Sequence, residues 1–152
     1  MGINFIALFL ILANGAESHK MPVTIICSGR KETVKLKIIN QTKNTVLVSN
    51  GMLAQTFITR AKGLLGRKFL EEGSGLLIRP CNQIHSIGMK FAFDAVYLNR
   101  DLIVCHIEPE IKPGRITRLV KEARSVLEVP AGKIAATQTQ VGDQLQIKGG
   151  NY

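Results

Sequence analysis

Between residues 34 and 48 the chain alternates apolar and polar positions, turns, and resumes. Val34, Leu36 and Ile38 are separated by Lys35 and Lys37, the period of two that buries one face of a strand and wets the other. The polar run at 40–44 reads as a turn, and Val46, Leu47 and Val48 as the returning strand, so the segment predicts a hairpin. Residues 93–98 and 102–107 flank Asn99, Arg100 and Asp101, two apolar runs around three turn-prone residues that predict a second hairpin. Leu76, Leu77 and Ile78, stopped by Pro80, form a short buried strand. The runs at 125–129 and 145–148 add two more.

One stretch departs from this period. Residues 56–65 place Phe57, Ala61, Leu64 and Leu65 on one helical face behind Thr56, whose hydroxyl suits an N-cap. Gly63 and Gly66 keep that helix short. Many short strands with one or two short helices predict the α+β class, mainly antiparallel, as a curled or barrel-like sheet. No internal repeat, linker or low-complexity tract divides 34–152, which is expected to form a single domain.

Residues 1–33 read as an extension outside that domain. Ile3 to Leu12 is apolar and leads into Ala13, Asn14, Gly15 and Ala16, the length and small-residue ending of a signal segment but too short for a membrane span. No Lys or Arg precedes it. A second reading makes the extension a product of a misplaced start. Gly29-Arg30-Lys31-Glu32 can be encoded by a purine-rich string resembling a ribosome-binding site, with Val34 as the start; Met21 is a third start. A start near Val34 is favoured and implies a cytoplasmic protein, whereas a genuine signal at 1–16 implies an exported one.

Charge and cysteine content narrow the classes. The chain carries 20 Lys and Arg against 11 Asp and Glu, a net +9, with no Trp and 2 Tyr. Such a balance suits an anionic partner, nucleic acid or a membrane. The short basic clusters and scarce aromatics make nucleic acid the weaker expectation. Three cysteines at irregular spacing (Cys27, Cys81, Cys105) do not form a disulfide framework.

The densest chemistry lies at 79–94, where Cys81, His85, Met89 and Asp94 follow one another. Thiol, imidazole and carboxylate groups ligate metals or move protons. On an extended strand Cys81 and His85 stand about 13 Å apart, and Cys105 and His106 point to opposite faces, so no metal site is expected. Gln83, His85 and Ile87 share one face and Ile84 takes the other. Asp94 suits a base, a turn or an ion pair with Arg60. Arg60 beside the Gly63–Gly66 turn suits an anion, although the glycines are explained by tight chain reversal alone. Glu128, between Leu127 and Val129, faces either a groove with His85 or solvent.

Four segments in order carry a family resemblance: Arg60-Ala61-Lys62-Gly63-Leu64-Leu65-Gly66-Arg67; Gly75-Leu76-Leu77-Ile78; Cys81-Asn82-Gln83-Ile84-His85-Ser86-Ile87-Gly88-Met89; and Val126-Leu127-Glu128-Val129-Pro130-Ala131-Gly132. Together with Gly142-Asp143 they resemble the DUF192 family over roughly residues 37–148. The resemblance is to the branch with a Cys-Asn-x-Ile-His pattern. It implies a compact, largely β domain and no established activity or cofactor.

The functional expectation is a domain that binds a small molecule in a polar groove around His85 and Asp94, with Arg60, Cys81 and Glu128 as further candidates. The alternative is a small hydrolase or transferase using Cys81 or His85. A basic nucleic-acid-binding module is the third reading.

Overall fold

The computed structural model describes residues 35–149; Val34 and the readings made for 1–33 lie outside them. Seven strands, β1 (Leu36–Asn40), β2 (Thr45–Ala54), β3 (Ser74–Ile78), β4 (Phe93–Leu98), β5 (Val104–Ile111), β6 (Ser125–Pro130) and β7 (Leu145–Lys148), join in the order β5-β4-β6-β3-β2-β1-β7. All neighbouring strands run antiparallel except β2 and β3. The two edge strands meet at one end. Ile103 bridges Gln144, and the Val104 and Leu145 N–H groups donate to the Asp143 and Leu102 carbonyls. The sheet therefore curls into a half-barrel, and the predicted α+β, mainly antiparallel class is the one the chain adopts.

Strand-period burial explains the curl. Leu36 and Ile38 are buried while Lys37 is exposed, so β1 presents one apolar face inward. That inner face joins Val48, Leu77, Val96, Leu127, Val129 and Leu145 in one core. In β3, β4 and β6 the opposite face is apolar too. Leu76, Ile78, Phe93, Tyr97 and Val126 form a second core, covered by Leu64, Leu70, Ile84, Val120 and Ala123 from the connecting segments. An apolar sheet face left bare would cost about 25 cal/mol per Å², so those long connections serve as a second layer.

Among the described residues two helices are present, α1 (Phe57–Lys62) and α2 (Lys133–Ala136). The Thr56 hydroxyl accepts the Thr59 N–H at 3.2 Å, and Thr59 returns the bond in a capping box. The predicted extent to residue 65 is corrected. α1 ends after six residues at Gly63, where φ is 44°, and the chain turns again at Gly66, where φ is 82°. A helix this short builds no continuous apolar face, so Phe57 is exposed, whereas Leu64, beyond the helix, reaches the core. The 102–107 strand is shifted as well. Leu102 sits at φ 60° in the turn, and β5 begins at Val104 and runs on to Ile111.

Asp94 pins three elements together. It is fully buried on the inner face, opposite Val129. One carboxylate oxygen accepts the Glu110 N–H, the other the Ile134 N–H, both at 2.9 Å. The first bond holds β5 where Glu110 takes a φ of 51°. The second caps α2, whose N-cap Gly132 makes no side-chain cap bond. A similar knot holds β1 to β7, where Asn40 Nδ2 donates to Asp143 Oδ2 at 2.7 Å and to Thr139 Oγ1 at 3.2 Å.

Hydrogen bonds to a buried charge contribute about 1.5–3 kcal/mol each. Asp94→Ala is expected to destabilise the domain by about 3 kcal/mol in urea titration, and Asp94→Asn by less because one acceptor survives. A loss within experimental error for Asp94→Ala would show that these two bonds do not hold β5 and α2.

Candidate functional site

The register across β3, β6, β4 and β5 sets the site. Leu76 pairs with Glu128, Glu128 with Ala95, and Ala95 with Glu108. Directly paired residues share a face, so two carboxyl side chains flank one small Ala95 on the outer face. Two strand spacings separate their backbones by about 10 Å. In the next row Ile78 pairs with Val126, Val126 with Tyr97, and Tyr97 with His106. The Tyr97 and His106 rings stand 5.2 Å apart, and Arg118 reaches His106 Nδ1 at 3.2 Å.

Glu128 is the unusual member. It is 4% exposed, and its Oε2 is buried with no hydrogen-bond partner. Burial alone pushes its carboxyl from 4.5 up to about 8, because an ionised group loses solvation that nothing here replaces. At neutral pH Glu128 is thus a neutral acid with a proton to donate. Glu108 Oε2 and Arg60 Nε are also buried without hydrogen-bond partners, and the Tyr97 hydroxyl is buried beside Thr117. The Tyr97 phenol is pushed up first by burial, opposed in part by a side-chain hydrogen bond with Thr117, and raised further by Glu108, Cys81 and Glu128. The register places Glu128 and Glu108 on the outer face in one row, with Tyr97 in the row beside it.

Cys81 completes the cluster and is held as a thiol. Burial pushes it up to about 11, opposed in part by backbone hydrogen bonding at Gln83; Glu128 raises it further and Arg60 lowers it. Its Sγ lies 3.2 Å from the Gln83 carbonyl. Arg60 is oriented by its bond to the Pro80 carbonyl at 2.9 Å.

The candidates from 79–94 separate. Cys81, Arg60 and Glu128 converge on the outer face. Asp94 is on the inner face, and both its oxygens hold backbone N–H groups. The pairing of Asp94 with Arg60 is therefore not formed: successive positions Asp94 and Ala95 point to opposite sides of β4. His85 bridges Ile116 in a two-stranded ribbon. Its neighbours Ile84 and Ser86 are buried, so His85 points to the other side. Glu128 is not in solvent. Tyr97 and Glu108 were not singled out by sequence. A strand drawn only to Ile107 leaves Glu108 outside it, although the alternation Phe93, Ala95, Tyr97 already puts Tyr97 beside Ala95. Among the described residues, no three His, Cys, Asp or Glu side chains gather as a metal would need.

A small β-rich half-barrel with an acid buried under its outer layer defines the class. Residues 38–147 match the model of DUF192, described as "Uncharacterized ACR", and the chain belongs to that family. It is 30% identical over 112 residues to the UPF0127 protein PF1050 of Pyrococcus furiosus, covering 72% of this chain and 96% of that protein. Two crystal structures share the fold. One is of a proposed transcription regulator of Sinorhizobium meliloti 1021, with TM-score 0.65, 19% identity and coverage of 77% of this chain and 93% of that one. The other is of a protein of unknown function from Novosphingobium aromaticivorans DSM 12444, with TM-score 0.66, 20% identity and coverage of 88% and 99%.

Two outcomes follow. Between pH 4.5 and about 8 the folded chain retains a Glu128 proton that the unfolded chain releases. The stability linked to that proton is complete at low pH and is lost as pH rises. Relative to Glu128→Gln, the wild-type chain should lose stability with rising pH by roughly 1 kcal/mol per unit across this window, read by urea midpoints. A constant difference would contradict the burial of an unpaired acid. For Cys81, iodoacetamide labelling of the native protein at pH 7 should run far below the rate in denaturant; equal rates would mean an accessible thiolate.

Proposed function

We propose that the domain binds a small molecule bearing acceptor oxygens, carbonyl or carboxyl, at the outer-face cluster of Glu128, Tyr97, Arg60 and Cys81. The observation that carries this reading is the Glu128 carboxyl oxygen, buried without a partner in an otherwise apolar layer. A buried unsatisfied polar group costs about 1–3 kcal/mol, and a fold gains nothing from that cost unless the group meets something. The Glu128 acid, the Tyr97 hydroxyl and the Arg60 Nε–H are all donors. Donors that converge in a poorly solvated site favour an oxygen bearing full or partial negative charge. Relative to the expected groove around His85 and Asp94, the binding site is recentred on Glu128, and Asp94 supports it from the opposite face.

The thiol-enzyme alternative is weaker. A nucleophilic cysteine needs a lowered pKa, and burial moves Cys81 the other way.

Glu128→Met, close in length and apolar, should raise the melting temperature at pH 7, because replacing an unpaired buried acid removes its desolvation cost. In the same thermal-shift format, a panel of small carboxylates and ketones should include compounds that stabilise the wild-type chain. They should leave Glu128→Met and Tyr97→Phe unmoved. A lower melting temperature for Glu128→Met would make the acid a structural partner and remove the basis of the reading.

A further inference from the structure

The layer that covers the outer face carries a second feature. Among the described residues eight large apolar side chains are exposed, and all but Val46 and Val141 (Phe57, Ile58, Phe69, Ile87, Ile116 and Leu119) lie on the three segments 55–73, 82–91 and 112–121. These segments sit together. The Arg60 side chain bonds the Pro80 carbonyl, Leu65 lies against Gly88, and residues 82–86 hydrogen-bond 114–120 as a ribbon through the His85–Ile116 bridge. The same segments contain nine Lys and Arg against two Glu, one of which, Glu72, is paired to Lys133. On 112–121 the two kinds interleave: Ile116 follows Arg115, and Leu119 stands between Arg118 and Lys121, all exposed.

We propose that this face docks the domain onto an anionic phospholipid surface. Ile87, Ile116 and Leu119 enter the headgroup boundary, while Lys112, Arg115 and Lys121 meet lipid phosphates. Apolar side chains alternating with cations match the two layers such a surface presents, and the stems of Arg and Lys let their charged heads stay in the polar layer. Nucleic acid would be met by the same charge. Yet four of the six exposed apolar side chains are aliphatic and offer no π face for stacking bases. Hydrocarbon accepts aliphatic and phenyl groups alike. This inference does not depend on the ligand reading at Glu128.

The full chain is to be sedimented with vesicles of phosphatidylcholine alone and of phosphatidylcholine with phosphatidylglycerol. Residues 3–12 are apolar and can partition by themselves, so substituted full chains decide. Binding to the anionic vesicles is expected to fall roughly 25-fold in Arg115→Ser/Lys121→Ser, at about fivefold per charge. Ile116→Ser/Leu119→Ser should bind less at physiological salt and lose its remaining binding as salt is raised. All four side chains are exposed, so melting temperatures should stay at the wild-type value. Two results would overturn the proposal: both double variants binding anionic vesicles like the wild type, or an oligouridylate binding more tightly than the vesicles and displacing them.

Discussion

Strands β3, β4 and β6 are apolar on both faces, and desolvating both faces is the constraint on which the rest of the fold depends. The inner face is covered by the sheet itself. β1, β2 and β7 curl over it until the start of β7 meets the start of β5. The outer face has no sheet to cover it and takes the segments between strands instead. Those segments are long because they form a layer. They pin polar backbone where needed, as when the Thr117 hydroxyl accepts from the Ile84 N–H and donates to the Ile84 carbonyl.

Asp94 and Glu128 are buried on opposite faces of the sheet, and their surroundings set opposite roles. Asp94 meets two backbone N–H groups and becomes a strut between β5 and α2. Glu128 has an oxygen that meets no hydrogen-bond partner, keeps its proton to about pH 8, and remains able to donate it to something else. The difference arises from geometry. Asp94 lies beside a strand irregularity and a helix start, both rich in unpaired N–H groups. Glu128 lies between Leu76 and Ala95, whose backbone groups are already used by the sheet.

Strand existence was legible in the sequence because period-two burial is local: Leu36 and Ile38 against Lys37, or the hairpin around Asn99. The parallel pairing of β2 with β3 was not, since no local pattern distinguishes it from an antiparallel return. Helix α1 was legible at its start, where Thr56 caps, and misread at its end, where two glycines turn the chain before an apolar face can build. The site was legible only in part. Cys81, Arg60 and Glu128 stood out by chemistry. Their convergence depends on sheet order, which also brings in Tyr97 and Glu108 and sends Asp94 to the other side. Closeness along 79–94 suggested a single site. The alternation of β4 sends Asp94 to the inner face, away from Cys81.

The protonation of Glu128, buried with one oxygen that meets no hydrogen-bond partner, is read most directly by a carbon-detected NMR titration of the glutamate side-chain carboxyls, with Glu128→Gln supplying the assignment. One carboxyl, absent in the variant, should titrate near pH 8. A Glu128 signal titrating at the ordinary glutamate value of about 4.3 would contradict that burial.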